Sequence, residues 1–177
     1  TGNKDILEIE TPYLQGKVLE EGVDERYDKY TKSDVVEDIY GHCIRAIERS
    51  LNFGENGLPK IGSGDWNDGL NKVGNKGKGE SVWLGFFMYI ILRRILPICR
   101  DRGEEERAKR YEEISDKLKK ALNTNAWDGR WYKRAFMDNG EALGSIECEE
   151  CKIDSISQSW ATISKAGDND KKYIALE

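Results

Sequence analysis

At 177 residues, with 28 basic and 33 acidic side chains and a net charge of −5, the chain is long enough for one domain with a real core. Its mixed charge leaves no basic surplus to recommend nucleic acid as a partner and no acidic tail to act as a solvating segment. Residues 1–10 are too polar to read as a signal peptide, and the apolar run 82–92 stops at Arg93-Arg94, too short to span a bilayer, so no membrane partner is expected.

Residues 1–30 show no sustained helical period and carry Pro12, Gly16 and Gly22, so they read as an extended lead-in. Ser33 followed by Asp34 then reads as an N-cap with an acidic first turn. Val35, Ile39, Cys43, Ala46 and Ile47 recur at spacings of three and four, which predicts an amphipathic helix ending near Leu51. Residues 52–79 form a long stretch rich in glycine and asparagine. A loop of that length inside a compact domain is either functional or disordered, and its residue content favours function.

Glu80 is expected to open a second helix, apolar on nearly all sides from residue 82 to 98, and Pro97 to kink or end it. Residues 104–122 predict a third helix with an apolar face of Ala108, Tyr111, Ile114, Leu118 and Leu122, acidic at its start and basic at its end. Trp127-Asp128-Gly129 is a turn. Residues 130–136 alternate, and Asp138-Asn139-Gly140 is a tight-turn signal, so a small hairpin is expected. Residues 153–164 read as a fourth helix with Asp154 as its N-cap, and Asp168-Asn169-Asp170 as the cap of a fifth. The pattern breaks off at Glu177, which suggests a fragment of something longer.

Cys148 and Cys151 have C-x-x-C spacing, but there is no second such pair, and His42, the only histidine, lies far away in sequence. A zinc site needs further ligands, so no metal is expected and the four cysteines read as reduced thiols of a cytoplasmic protein.

The densest chemistry lies in Gly64-Asp65-Trp66-Asn67-Asp68-Gly69. Flanking glycines let the backbone turn tightly against a ligand. An indole offers a flat apolar face to a sugar ring, and a carboxyl group beside it can move a proton at a glycosidic oxygen. Three readings of Asp68 stand at this point: a general acid in a half-buried cleft, a metal ligand, or a loop residue capping a turn. The metal reading lacks the alternation of a calcium loop. Trp66 is either a sugar platform or a plug over the core. Trp131 and Tyr132, with Arg134, either line a sugar site or pack across a hairpin. Glu80 reads as the favourable acid of a first helical turn.

Taken together, several blocks resemble glycoside hydrolase family 94, the inverting β-glycoside phosphorylases. The run from Gly62 through Gly69 to Leu70-Asn71-Lys72-Val73-Gly74 carries the resemblance, followed by Gly79-Glu80-Ser81-Val82-Trp83-Leu84. Tyr40-Gly41-His42-Cys43-Ile44-Arg45, Ala126-Trp127-Asp128-Gly129-Arg130-Trp131-Tyr132-Lys133-Arg134 and Ile153-Asp154-Ser155-Ile156-Ser157-Gln158-Ser159-Trp160 support it in order along the chain. The form of the motif is similar to the β-1,2-glucan and chitobiose branches rather than to cellobiose phosphorylases.

The resemblance implies an all-α fold: a partial (α/α)6 barrel with long inter-helix loops and a small β-hairpin, residues 1–177 forming one catalytic domain incomplete at both ends. It implies Asp68 as general acid and Trp66 beside the transferred sugar; Asp65 and Asn67 are read as shaping the loop at the substrate site, with Trp131 and Arg134 as further substrate-site candidates. Inorganic phosphate is then a co-substrate with a β-linked oligosaccharide, and no cofactor is needed. The family's phosphate-binding histidine belongs to a later section, and His42 sits in a different block. The isolated chain is therefore expected to be inactive and, with apolar helix faces uncovered, to self-associate. Two other classes stay open: a non-catalytic glycan-binding or scaffold protein, and a helical hydrolase using water. The latter needs a second carboxylate, with Glu80 and Asp65 nearest in sequence.

Overall fold

The computed structural model describes residues 3–20, 23 and 26–177, with Asp68 described by its backbone alone. The chain divides into two compact units, Thr1–Leu51 and Asn52–Glu177.

In the first unit a short 3-10 turn, Asp5–Glu8, leads into strand β1 (Glu10–Gln15), which pairs antiparallel with β2 (Thr31–Asp38). The register sets Glu10 opposite Asp38 and Pro12 opposite Val36. Helix α1 (Ile39–Ser50) follows directly. The helix expected from Ser33 thus begins later, and the lead-in carries a strand. The reason lies in Val35 and Val36: β-branched residues favour the pleated strand, and β1 supplies the partner backbone. The Ser33 hydroxyl accepts from the Val35 N–H at 2.9 Å within β2, while Asp38 is the true N-cap, its carboxylate accepting from the Gly41 N–H at 2.6 Å. His42 of α1 stacks on Tyr13 of β1 at 3.8 Å between ring centroids, and its Nε2 lies 2.9 Å from the Thr11 carbonyl. The Tyr13 hydroxyl bonds to Glu37, and Arg45 pairs with the same carboxylate at 3.0 Å.

The second unit is built on two long antiparallel helices, α2 (Val82–Asp101) and α3 (Glu105–Thr124), with α4 (Ser155–Ser164) packed on α2 and the short α5 (Asn169–Ile174) beyond it. At Gly85 an added Cβ would meet Leu122 at 3.1 Å, so a glycine here lets α2 and α3 approach closely. Arg100 and Glu112 pair across the hairpin at 2.8 Å. Phe86, Leu92, Tyr111, Leu118 and Leu122 are fully buried between these elements.

Pro97 does not end α2, which runs a turn further. The proline lies in the last turns, and Leu96 and Cys99 around it are buried, so packing outweighs one missing N–H. The helix stops instead at Gly103 (φ +75°): its N–H bonds to the Arg100 carbonyl at 2.9 Å and the Glu104 N–H to the Cys99 carbonyl at 2.9 Å, a Schellman ending. The apolar stretch is therefore longer than residues 82–92. By length and composition α2 is the one helix among the described residues apolar enough to cross a membrane, with mean hydropathy 1.7, a test that a buried core helix also passes. Val82, Phe86, Leu92 and Cys99 leave no surface exposed (0%).

Glu80 does not open α2. Glu80–Ser81 is a short strand, β3, joined by β4 (Ala135–Phe136) and β5 (Ala142–Leu143) in a three-stranded antiparallel sheet. The expected hairpin is there, turning at Asp138-Asn139-Gly140 with Gly140 at φ +88°, and β3 is the strand that sequence reading did not foresee. The chain is mainly helical, with five α-helices and two small sheets among the described residues.

Candidate active site

Residues 52–79 are not a free loop. Phe53 bridges Pro59, Lys60 bridges Glu80, and the Ile61 N–H bonds to the Gly79 carbonyl at 2.9 Å, so the two ends lie side by side. Ile61 and Val73 pack with Ala135 into a small core, joined by Leu70, Met137 and Leu143. Asp138, at the hairpin tip, accepts from the backbone N–H groups of Lys76 (2.8 Å), Lys78 (2.8 Å) and Gly79 (2.9 Å). What this scaffold presents is the segment between Gly64 and Gly69.

Asp65 turns inward. Its side chain has 0% exposure and faces Arg134, 1% exposed, with Nη2 donating to Oδ1 at 2.8 Å. The Ser81 hydroxyl donates to Oδ2 at 2.6 Å, and the Asn67 N–H donates to Oδ1 at 2.9 Å. Burial pushes the Asp65 carboxyl up. The Arg134 hydrogen bond, the Asn67 N–H and the Ser81 hydroxyl together outweigh it and hold the group below its ordinary value of 3.8. Asp65 is thus a carboxylate with its charge answered.

Trp66 is 71% exposed, so it is no plug over the core. The Asn67 side chain accepts from the Gly69 N–H at 3.0 Å and caps a 3-10 turn, Asp68–Leu70, which Asp68 opens. The Leu70 side chain at the end of that turn packs on the Ile61–Val73 core. The backbone of Asp68 is fixed on both sides, and its side chain lies outside the described structure.

Arg134 reaches further partners. Nη1 donates to the Ser81 hydroxyl at 3.3 Å, and Nε lies 3.3 Å from Asp154 Oδ2 as an ion pair without a hydrogen bond. Ser81 caps α2 through the Leu84 N–H (3.0 Å), and Asp154 caps α4 through the Ile156 N–H (2.9 Å). Trp131 is half-buried, with Nε1 donating to the Gly144 carbonyl at 3.1 Å. The structure therefore gathers Asp65, Arg134, Ser81 and Asp154 around one guanidinium, and holds Trp131 on the strand exit after β5.

Glu80 is a structural acceptor, not the acid of a first helical turn. It is 2% exposed and takes the Asn56 N–H (3.1 Å), the Asn56 amide (2.6 Å) and the Leu58 N–H (2.9 Å). Sequence reading missed this, and it missed Ser81, though a serine just before an apolar helix is an N-cap signal. Among the described residues no three histidine, cysteine or acidic side chains cluster as a metal site, and no disulfide links the cysteines.

The sequence of residues 2–177 matches the model of the glycosyl hydrolase 94 superfamily catalytic domain. The chain belongs to that family. It is 44% identical over 178 residues to the cyclic beta-(1,2)-glucan synthase NdvB of Rhizobium meliloti (strain 1021), covering 100% of this chain and 6% of the relative. It is 36% identical to the solabiose phosphorylase of Paenibacillus borealis, covering 78% of this chain and 18% of the relative. With the N,N'-diacetylchitobiose phosphorylase of Vibrio furnissii it shares 30% identity, over 78% of this chain and 17% of the relative. The glycosyl hydrolase 94 chain described here thus spans a small part of each of these relatives.

Proposed function

We propose that the chain is part of the catalytic barrel, of (α/α)6 type, in an enzyme that cleaves a β-glucosidic bond with inorganic phosphate. Asp68 is the general acid: it protonates the departing glycosidic oxygen while phosphate attacks the anomeric carbon from the opposite face. One displacement inverts the centre, and a β-glucoside gives an α-sugar 1-phosphate. Phosphate takes the place of the water and base of an inverting hydrolase, so a single carboxylic acid suffices. Trp66 supplies an apolar face to the transferred sugar.

One observation carries the reading: the loop is pinned by a buried ion pair, yet leaves Trp66 in solvent beside the residue that opens the capped turn at Asp68. The hydrolase alternative loses support because the two carboxylates nearest in sequence are already occupied, Glu80 by three N–H donors and Asp65 by Arg134, Ser81 and Asn67. The match to a cyclic beta-(1,2)-glucan synthase over the whole chain supports a β-1,2-linked glucan as the substrate class.

The test is phosphorolysis of β-linked glucans by the intact protein, with detection of α-sugar 1-phosphate. Asp68→Asn is expected to lower kcat by about 10²–10⁴-fold, the usual worth of a positioned acid, with folding retained. A variant that keeps its rate overturns the assignment. The isolated chain is expected to be inactive, since the resemblance puts the family's phosphate-binding histidine in a later section. Phe87 and Ile163 in solvent support its self-association, which a monomer in light scattering would refute.

A further inference from the structure

We propose that Asp65 and Arg134 are a positioning pair that aims the exposed part of the loop, and that neither touches the sugar or the phosphate. The inference deepens the reading of Asp68 as the acid and rests on it.

A side chain that binds substrate needs a route to solvent, and these two have none, their side chains being 0% and 1% exposed. Asp65 spends Oδ1 on Arg134 and the Asn67 N–H, and Oδ2 on Ser81, with its side chain 0% exposed. Arg134 spends Nη2 on Asp65 and Nη1 on Ser81, sets Nε against Asp154, and is 1% exposed. Its backbone is held as firmly: the N–H donates to the Leu143 carbonyl at 2.7 Å, and its carbonyl accepts from the Val82 N–H at 3.2 Å. Gly144, at φ +71°, closes over it, where an added Cβ would lie 2.9 Å from Arg134 Cβ.

The pair has a direction of action. Arg134 joins the N-caps of two helices, Ser81 for α2 and Asp154 for α4. Through Asp65 that fixed frame reaches the Asn67 N–H, and Asn67 caps the turn that starts at Asp68. Holding Asp65 inward also sets its neighbour Trp66 outward, 71% exposed. A loop held this way keeps its acid within the narrow geometry that proton transfer requires, and a displacement of about 1 Å is worth on the order of 10²-fold in rate.

The experiment measures kcat and both KM values, for glucan and for phosphate, in the intact protein carrying Asp65→Asn, Arg134→Met, the double variant, and Asp68→Asn. Asparagine keeps the shape of Asp65 and can still accept from the Asn67 N–H, so Asp65→Asn decides the matter should Arg134→Met fail to fold. Each single variant is expected to lower kcat by roughly 10–10²-fold with both KM values within about 2-fold of wild type. The double variant is expected to be no worse than the poorer single one, because the two residues act as a unit. A rise of about ten-fold or more in either KM with kcat retained would mean substrate contact and overturn the proposal, as would additive losses. If Asp68→Asn keeps its rate while the anchor variants lose kcat, the acid assignment fails and the anchoring stands.

Discussion

Gln158 pairs with Tyr132 as a neighbouring strand would. Its Oε1 accepts from the Tyr132 N–H at 2.8 Å, and its Nε2 donates to the Tyr132 carbonyl at 2.7 Å. Nε2 also reaches the Asp154 carbonyl at 2.9 Å, within the first turn of α4. A helix side chain thereby completes the backbone bonding of the segment that leads into Arg134. Tyr132 itself is fully buried, its hydroxyl donating to Asn123 at 2.8 Å. Burial, with Asp168 nearby, pushes the phenol far up, so it remains a donor across the accessible pH range.

Gln158→Met conserves volume and removes both partners of the Tyr132 backbone. Each buried group left without a partner costs about 1–3 kcal/mol, so a loss of roughly 2–6 kcal/mol is expected in urea unfolding. A loss below about 1 kcal/mol would mean that water or a shift of the segment replaces the glutamine.

Glu80 separates structure from chemistry. Glu80→Gln turns one acceptor oxygen into a donor facing the N–H of either residue 56 or residue 58, and is expected to cost on the order of 1–3 kcal/mol. Glu80→Ala is expected to cost more, because three donors lose their acceptor. Were Glu80 a catalytic base, Glu80→Gln would abolish turnover and leave the unfolding midpoint unchanged. The structural role requires the opposite order of effects.

Acid should release the loop. Asp65 and Asp138 both sit below their ordinary value of 3.8: burial raises each, but Arg134, Asn67 and Ser81 in one case, and the N–H groups of residues 76, 79 and 78 in the other, outweigh it. Groups depressed in the folded state bind more protons when the chain unfolds, so their contribution is present above the unfolded value. It is lost as pH falls through the folded one. The urea midpoint should therefore be flat in these groups from about pH 5 to 7 and fall below about pH 4. Asp138→Asn should lower the midpoint at pH 7 and converge with wild type in acid; a constant gap at all pH values would refute the linkage. The effect of Asp138, half-buried at the hairpin tip where Asp65 is enclosed, is expected to be the smaller.

What the sequence made legible was local. The Asp154 cap, the turn at Asp138-Asn139-Gly140 and the α3 face through Ala108, Tyr111, Leu118 and Leu122 each announce themselves within one or two turns of chain. β2 was read as helix because Val35 and Val36 fit both periods, and what decides between them is β1, some twenty residues earlier in the chain by the pairing of residues 12 and 36. The loop motif was visible, and so was Arg134, but not their relation. Asp65 and Arg134 stand 69 residues apart, Glu80 and Leu58 22 apart, and no periodicity links such positions. The fold brings Asp65 its counter-charge from Arg134, a pairing that neither motif announces by itself.

Two tryptophans test whether exposure marks function. Trp83 is 8% exposed, stacked on Phe87 at 5.5 Å and edge-on to Trp160 at 5.7 Å between centroids. Trp83→Ala is expected to cost about 3–5 kcal/mol of stability, as aromatic deletions in cores do. Trp66 is 71% exposed, and Trp66→Ala should change stability by no more than about 0.5 kcal/mol. Its cost should fall on the reaction instead. An indole that covers a bound sugar buries apolar surface worth about 1.5–3 kcal/mol, so kcat/KM for glucan in the intact protein should drop by roughly 10–150-fold. An unchanged kcat/KM would remove Trp66 from the site, whatever its exposure. A marked loss of stability would show that the indole packs against protein, and the loop would then owe its shape to Trp66 as well as to Asp65.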